Sequence, residues 1–280
     1  MTAAEAAGAA PPTLRGDARR IAPLAWPVFV GQVAVIAFST VDTLLIARYA
    51  ATDLAALAVG ASAYITVFIG LMGVVLAIGP IVGQLFGAGR HAAAGAQLDQ
   101  GLWLALGLAV IGSLLLAFPQ PFLWLARAPA EVATKVRSYT LALAFSLPAS
   151  LLFTVYRGFN IAVSRPKAVM ALQLGGLALK LPLTAAFVFG WGPLPELGVA
   201  GCGIATAIAM WAQAGAAWLV LRRDRFYERF EIRGRRLQRP SRAALAALLA
   251  LGVPMGLSIA VEVTGFTFMA FFVSRISTRR

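Results

Sequence analysis

The chain has one histidine, one cysteine and only 11 acidic residues among its 280 positions, and just 12% of it is charged. Each shortage removes a class of function. A lone histidine, His91, with no His-Glu-x-x-His run and no acidic pair in an apolar stretch, leaves no ligand set for a catalytic metal and no base placed beside a serine. That argues against an enzyme, and no cofactor is expected. The single cysteine, Cys202, excludes an internal disulfide framework, and its Gly201-Cys202-Gly203 setting reads as tight helix packing. Soluble domains carry roughly a quarter of their residues charged. So little charge makes lipid the solvent of this chain.

What is present is apolar residue, 60% of the total. Long apolar stretches run at about Ile21 to Ala47, Leu54 to Leu85, Ala96 to Leu116, Tyr139 to Val163, Ala168 to Trp191, Gly198 to Leu221 and Ala243 to Val273. Each meets the span requirement of roughly 20 residues, and each must be helical because a lone segment in lipid has to satisfy its own backbone. The first is no cleavable signal peptide, since it is too long and carries Pro23, Pro27 and Asp42. Small residues recur where helices should touch, as in Gly79-x-x-x-Gly83-x-x-x-Gly87 and Gly198-x-x-Gly201-x-Gly203.

The last stretch restarts the first. Leu24-x-x-Pro27…Thr40…Arg48 lies over Leu251-x-x-Pro254…Thr267…Arg275 without a gap, at an offset of 227 residues. An even number of crossings separates them, so they are parallel repeats. The expected fold is an all-α integral membrane protein, a six-helix N-terminal lobe plus the first helix of a second, parallel-repeat lobe. Its parts are a cytoplasmic tail (1–20), the lobe (21–221), a basic inter-lobe loop (222–241) and the opening helix of a truncated second lobe (242–280), and a parent of twelve helices is expected.

The net charge of +13 does not indicate nucleic acid, because the basic residues segregate by side of the bilayer. One side collects Arg15, Arg19, Arg20, Arg90, Arg165, Lys167 and the arginines from Arg222 to Arg242, whereas the other holds Arg48, Arg127, Lys135 and Arg137. Under the positive-inside rule the N-terminus is cytoplasmic, and the loop reads as a topology signal and flexible linker.

The informative residues are the ionisable ones inside apolar segments: Asp42, Arg157, Lys180 and Glu262. A charge at the bilayer centre costs about 3 kcal/mol on insertion scales, so each needs a partner, water or a change of protonation. Arg157 is close enough to Arg165-Pro166-Lys167 to snorkel to headgroups. Asp42 lies at the edge of a polar stripe formed by Gln32, Ser39 and Thr43. Glu262 occupies the repeat position of Val35, deeper along the axis, and with Ser258, Thr264 or backbone carbonyls it offers oxygens to Na+. Both acids are candidate carriers of H+ or Na+, and the residues alone leave the choice open.

Ser39-Thr-Val-Asp42-Thr-Leu-Leu-Ile-Ala-Arg48, Pro80-Ile-Val-Gly-Gln84-Leu-Phe-Gly-Ala-Gly-Arg90, Tyr156-Arg-Gly-Phe-Asn160, Glu196-Leu-Gly-Val-Ala-Gly-Cys202-Gly and Gly252-Val-Pro254-Met-Gly to Glu262-Val, in that order, resemble the multidrug and toxic compound extrusion (MATE) transporters of the NorM type. The resemblance implies twelve helices in two lobes, exporting amphipathic organic cations in exchange for Na+ or H+ from a bacterial inner membrane, expected as a monomer. Asp42 matches the family's first-helix acid, Glu262 its seventh-helix acid, and Pro27 a proline linked to bending. Asn160 and Thr184 are further candidate cavity or gating positions, with Pro27, Gln32, Ser39 and Thr43. Where the family often reads Asn-x-Pro-Leu-Asn, this chain has Lys180-Leu-Pro182-Leu-Thr184. Lys180 is therefore a candidate modulator that pairs with Asp42 until protonation or substrate breaks the pair; the alternative is a lysine extended into an aqueous cavity. Two other readings are a lipid-linked oligosaccharide flippase of related fold and a structural or partner-binding membrane subunit.

Overall fold

A computed structural model describes residues 14–126, 129–191, 195–232 and 237–277. The side chains of 14–21, 24, 125, 260 and 263–277 lie outside the described residues, and with them Thr264 as a cation ligand and Thr267 of the repeat. Nine α-helices follow in order among the described residues: α1 (Leu14–Tyr49), α2 (Ala51–Val75), α3 (Ile78–Gly87), α4 (His91–Ala117), α5 (Gln120–Ala126), α6 (Ala130–Ala162), α7 (Pro166–Phe189), α8 (Val199–Arg223) and α9 (Arg242–Ser277), with a 3₁₀ turn at Arg225–Phe230. Seven spans are long and apolar enough to cross a membrane, with α2 and α3 making one of them. This is a multi-pass membrane protein.

Three boundaries differ from the apolar runs. The second run breaks between Val75 and Ile78, because Pro80 has no N–H to give and its ring crowds the carbonyl of Leu76. α6 begins at Ala130, well before the apolar run at Tyr139, so that Lys135 and Arg137 ride on a helix extended past its apolar part. α1 likewise starts at Leu14, ahead of Ile21, and passes through Pro23 and Pro27 without a break.

The helices α1, α7, α8, α6 and α2 each pack on the next, with α4 laid outside against α6 and α2. Glycines set the closest crossings. A Cβ on Gly201 of α8 would strike the Phe187 carbonyl of α7, and one on Gly60 of α2 would strike the Tyr139 ring of α6. At the end bearing the basic loop the core is built around Ile78, Leu98, Tyr156, Phe159, Tyr227 and Phe230; at the far end it is built around Ile46, Leu57, Val136, Leu143, Val188 and Cys202. α9 packs on α2 through a glycine seam in which a Cβ on Gly73 would meet the Gly256 backbone and one on Gly252 the Val74 carbonyl.

Where it is described, the basic loop is held to the bundle. Asp224 accepts from the Phe226 N–H at 2.9 Å, which starts the 3₁₀ turn, and its other oxygen accepts from Arg165 Nη1 at 2.6 Å. Phe226 N–H, then Arg165, hold this carboxyl below the usual aspartate range. The turn drives Tyr227 and Phe230, both fully buried, into the end of the bundle. Farther along, Trp103 Nε1 donates to the Gln238 carbonyl at 2.8 Å. Gln100 grips the loop twice, donating to the Arg239 carbonyl at 3.1 Å and accepting from the Ser241 N–H at 2.8 Å. The backbone from Gln238 to Ser241 is thus strapped to α4.

Candidate ion-coupling site

α1 and α7 face each other with one charge apiece. Lys180 Nζ donates to Asp42 Oδ2 at 2.6 Å and to the Phe38 carbonyl at 3.1 Å, and stands 4.7 Å from the centroid of the Phe38 ring. The side chains are 2% and 8% exposed, so both charges are inside the lobe. Local periodicity builds the site: Phe38 precedes Asp42, and Thr184 follows Lys180, by one helical turn on the same face. Thr184 Oγ1 and Asp42 Oδ1 are buried without a hydrogen-bond partner. The pair is thus charge-balanced but not fully satisfied, which is the condition under which an added proton or water finds a ready acceptor. Cys202 of α8 lies beside Asp42.

The other sequence candidates are distributed elsewhere. Ser39 and Thr43 are exposed and spend their hydroxyls on α1's own carbonyls, Ile36 at 2.9 Å and Ser39 at 3.0 Å. Asp42, at the edge of that stripe, turns toward α7, where Lys180 meets it. Gln32, also exposed, accepts from Arg157 Nη1 at 3.5 Å. Pro27 is buried in an unbroken stretch of α1. Asn160 lies at the basic end, where it accepts from Tyr227 Oη at 2.6 Å and donates to the Tyr156 carbonyl at 2.9 Å, holding the strap. Glu262 is exposed on α9, in none of the ion pairs among the described residues.

A second polar knot had no counterpart among those candidates. Asp53 at the start of α2 accepts from Lys135 Nζ at 2.5 Å and from the Val199 N–H, the first of α8, at 3.0 Å. Lys135 also donates to Thr52 Oγ1 at 3.0 Å. A carboxylate at a helix N-terminus is favoured by the unsatisfied amides there. Gly198 reaches this position at φ +55, with the Tyr49 and Asp53 side chains where a Cβ would be. Asp53 stood out only as part of a family-like run, and Lys135 only as a charge on the less basic side.

A membrane-spanning helix bundle with an ion pair sealed in its interior is an arrangement that suits a transporter. The MatE family model matches residues 27–186, and the chain belongs to that family of transporters. It is 46% identical over 255 residues to a probable multidrug resistance protein NorM of Aromatoleum aromaticum, covering 90% of this chain and 54% of that protein. It is 34% identical over 261 residues to the multidrug resistance protein MdtK of Klebsiella pneumoniae, covering 92% and 56%. A Vibrio cholerae MATE transporter, VcmN, crystallised in a bent form, has the same fold at 21% identity, with a TM-score of 0.80 over 92% of this chain and 57% of that one. The chain spans about half the length of the curated relatives it matches.

Proposed function

We propose that these residues form the first lobe and the opening helix of a multidrug antiporter that exports amphipathic organic cations across a bacterial inner membrane, with the basic end in the cytoplasm. The observation that carries the reading is the Lys180–Asp42 pair. A lysine ammonium within hydrogen-bond reach of the acid supplies the positive charge that a bound Na+ would bring, and repels a second cation by like charge. Protons are therefore the ion that this lobe exchanges. Protonation of Asp42 removes the attraction, frees Lys180 and biases the lobe between two arrangements. Glu262, one acid of the second lobe, is left as the place for Na+ or H+ on the other side of the inter-lobe space.

The test is drug export from cells by a transporter of the relatives' length built on this chain. Asp42→Asn and Glu262→Gln should each abolish efflux of ethidium while the protein stays in the membrane. Undiminished efflux in both variants defeats the proposal.

A further inference from the structure

We infer that Asp53 is a positioning residue for the Asp42–Lys180 pair, acting through the first turn of α8, which it caps from α2. The inference rests on the transport reading above and adds a residue to the same site.

The sequence leaves the start of α8 without a cap of its own. The N-cap position falls to Gly198, which has no side chain to accept from the open amides of the first turn. Asp53 brings the missing acceptor from another helix: Oδ1 takes the Val199 N–H at 3.0 Å, while Oδ2 takes Lys135 Nζ of α6. A Cβ on Gly198 would lie 2.5 Å from Asp53 Oδ1, and the residue sits at φ +55, so a serine or asparagine capping in the usual way has no room there. Asp53 and Val199 are 3% and 1% exposed. The cap is therefore made between buried groups of the lobe itself, away from water that could replace it.

The capped turn carries Cys202. Its N–H bonds the Gly198 carbonyl at 3.3 Å, and it follows Val199 by three residues, about 4.5 Å along the axis. Close packing fixes where this turn can sit. A Cβ on Gly201 would strike the Phe187 carbonyl of α7, and one on Gly203 would meet the Ala142 and Tyr139 side chains of α6. Cys202 lies beside Asp42, whose Oδ1 is buried and unpartnered among the described residues, and a thiol is a weak donor. A shift of the turn thus changes what faces the open oxygen of the acid that Lys180 neutralises, and with it the balance between the charged pair and a protonated Asp42. Plain ion pairing of Asp53 with Lys135 is a separable role, because the cap needs an acceptor atom and not a charge.

Cys202 is the one cysteine of the chain, so its alkylation by N-ethylmaleimide, followed by intact mass, and its S–H infrared band report this turn without background. The experiment uses the purified chain in dodecylmaltoside with Lys135→Met as the reference, which removes the ion pair. Added to it, Asp53→Asn keeps an acceptor for Val199 and should leave the alkylation rate unchanged, whereas Asp53→Ala should raise it about fivefold, the factor that one lost cap is worth. Val199→Pro in the otherwise native chain deletes the donor and leaves the ion pair in place, at a helix position where proline is tolerated; it should speed alkylation to the same degree. The S–H band should move in Asp53→Ala and in the double variant Asp42→Leu with Lys180→Met, which removes the neighbouring acid, but not in Asp53→Asn. Equal rates for Asp53→Asn and Asp53→Ala, a native rate in Val199→Pro, or a band indifferent to the Asp42 variant overturns the assignment and leaves the transport reading standing.

Discussion

Neutralising one member of the Lys180–Asp42 pair should cost more than neutralising both. At 2.6 Å, with an effective dielectric of about 20, the attraction is about 6 kcal/mol. Desolvation of two ions, several kcal/mol each, offsets much of it, so the intact pair adds little net stability. A single substitution is different, because the survivor stays 2% or 8% exposed with no counter-charge. Asp42→Asn and Lys180→Met should each destabilise the chain by about 3 to 5 kcal/mol, and the double variant by no more than either single, giving a coupling of about 3 kcal/mol or more. The assay is reversible unfolding in mixed micelles with increasing dodecyl sulfate, read by far-ultraviolet circular dichroism at pH 7. Single-variant losses that add to the double-variant loss within about 0.5 kcal/mol would refute the claim that these charges hold each other.

Two more outcomes follow from the strap and the seam. The Asp224 carboxyl, held below its unfolded value, contributes to docking in full above the ordinary aspartate range and loses that contribution as pH falls through its depressed value. In a variant whose one tryptophan is Trp103, emission should be flat from pH 7 to the ordinary aspartate pKa of about 4 and change below it; Asp224→Asn should remove this acid step, and an unaltered titration in that variant sinks the assignment. At the α2–α9 seam, Gly73→Ala should destabilise by about 1 to 3 kcal/mol through overpacking, whereas Gly83→Ala, whose added Cβ meets nothing within 4 Å, should not. Equal unfolding curves for the two would remove the seam's role.

The spans were legible because lipid leaves hydropathy as the dominant signal, and the sequence candidates Asp42 and Lys180 stood out because charge inside an apolar run is expensive. Their partnership was harder to read. It joins residues 138 positions apart through the packing of α1 on α7, which a hydropathy pattern does not encode. The stripe of Gln32, Ser39 and Thr43 was legible as a shared helical face, whereas the bonds its two hydroxyls make to their own helix were not. The break before α3 had a local cause in Pro80, masked by the apolar residues on both sides. The strap was hidden by its arginines, since Tyr227 and Phe230 are the residues that dock, and Asn160, which receives Tyr227, belongs to a motif 67 positions away.

Gln100 holds Ser241, the residue just before α9, at the basic end. Gly256 lies 15 residues up the helix, about 22 Å at the α-helical rise. A 10° swing about Ser241 would therefore carry the seam about 4 Å sideways, enough to part backbones in contact, while the grip itself hardly moves.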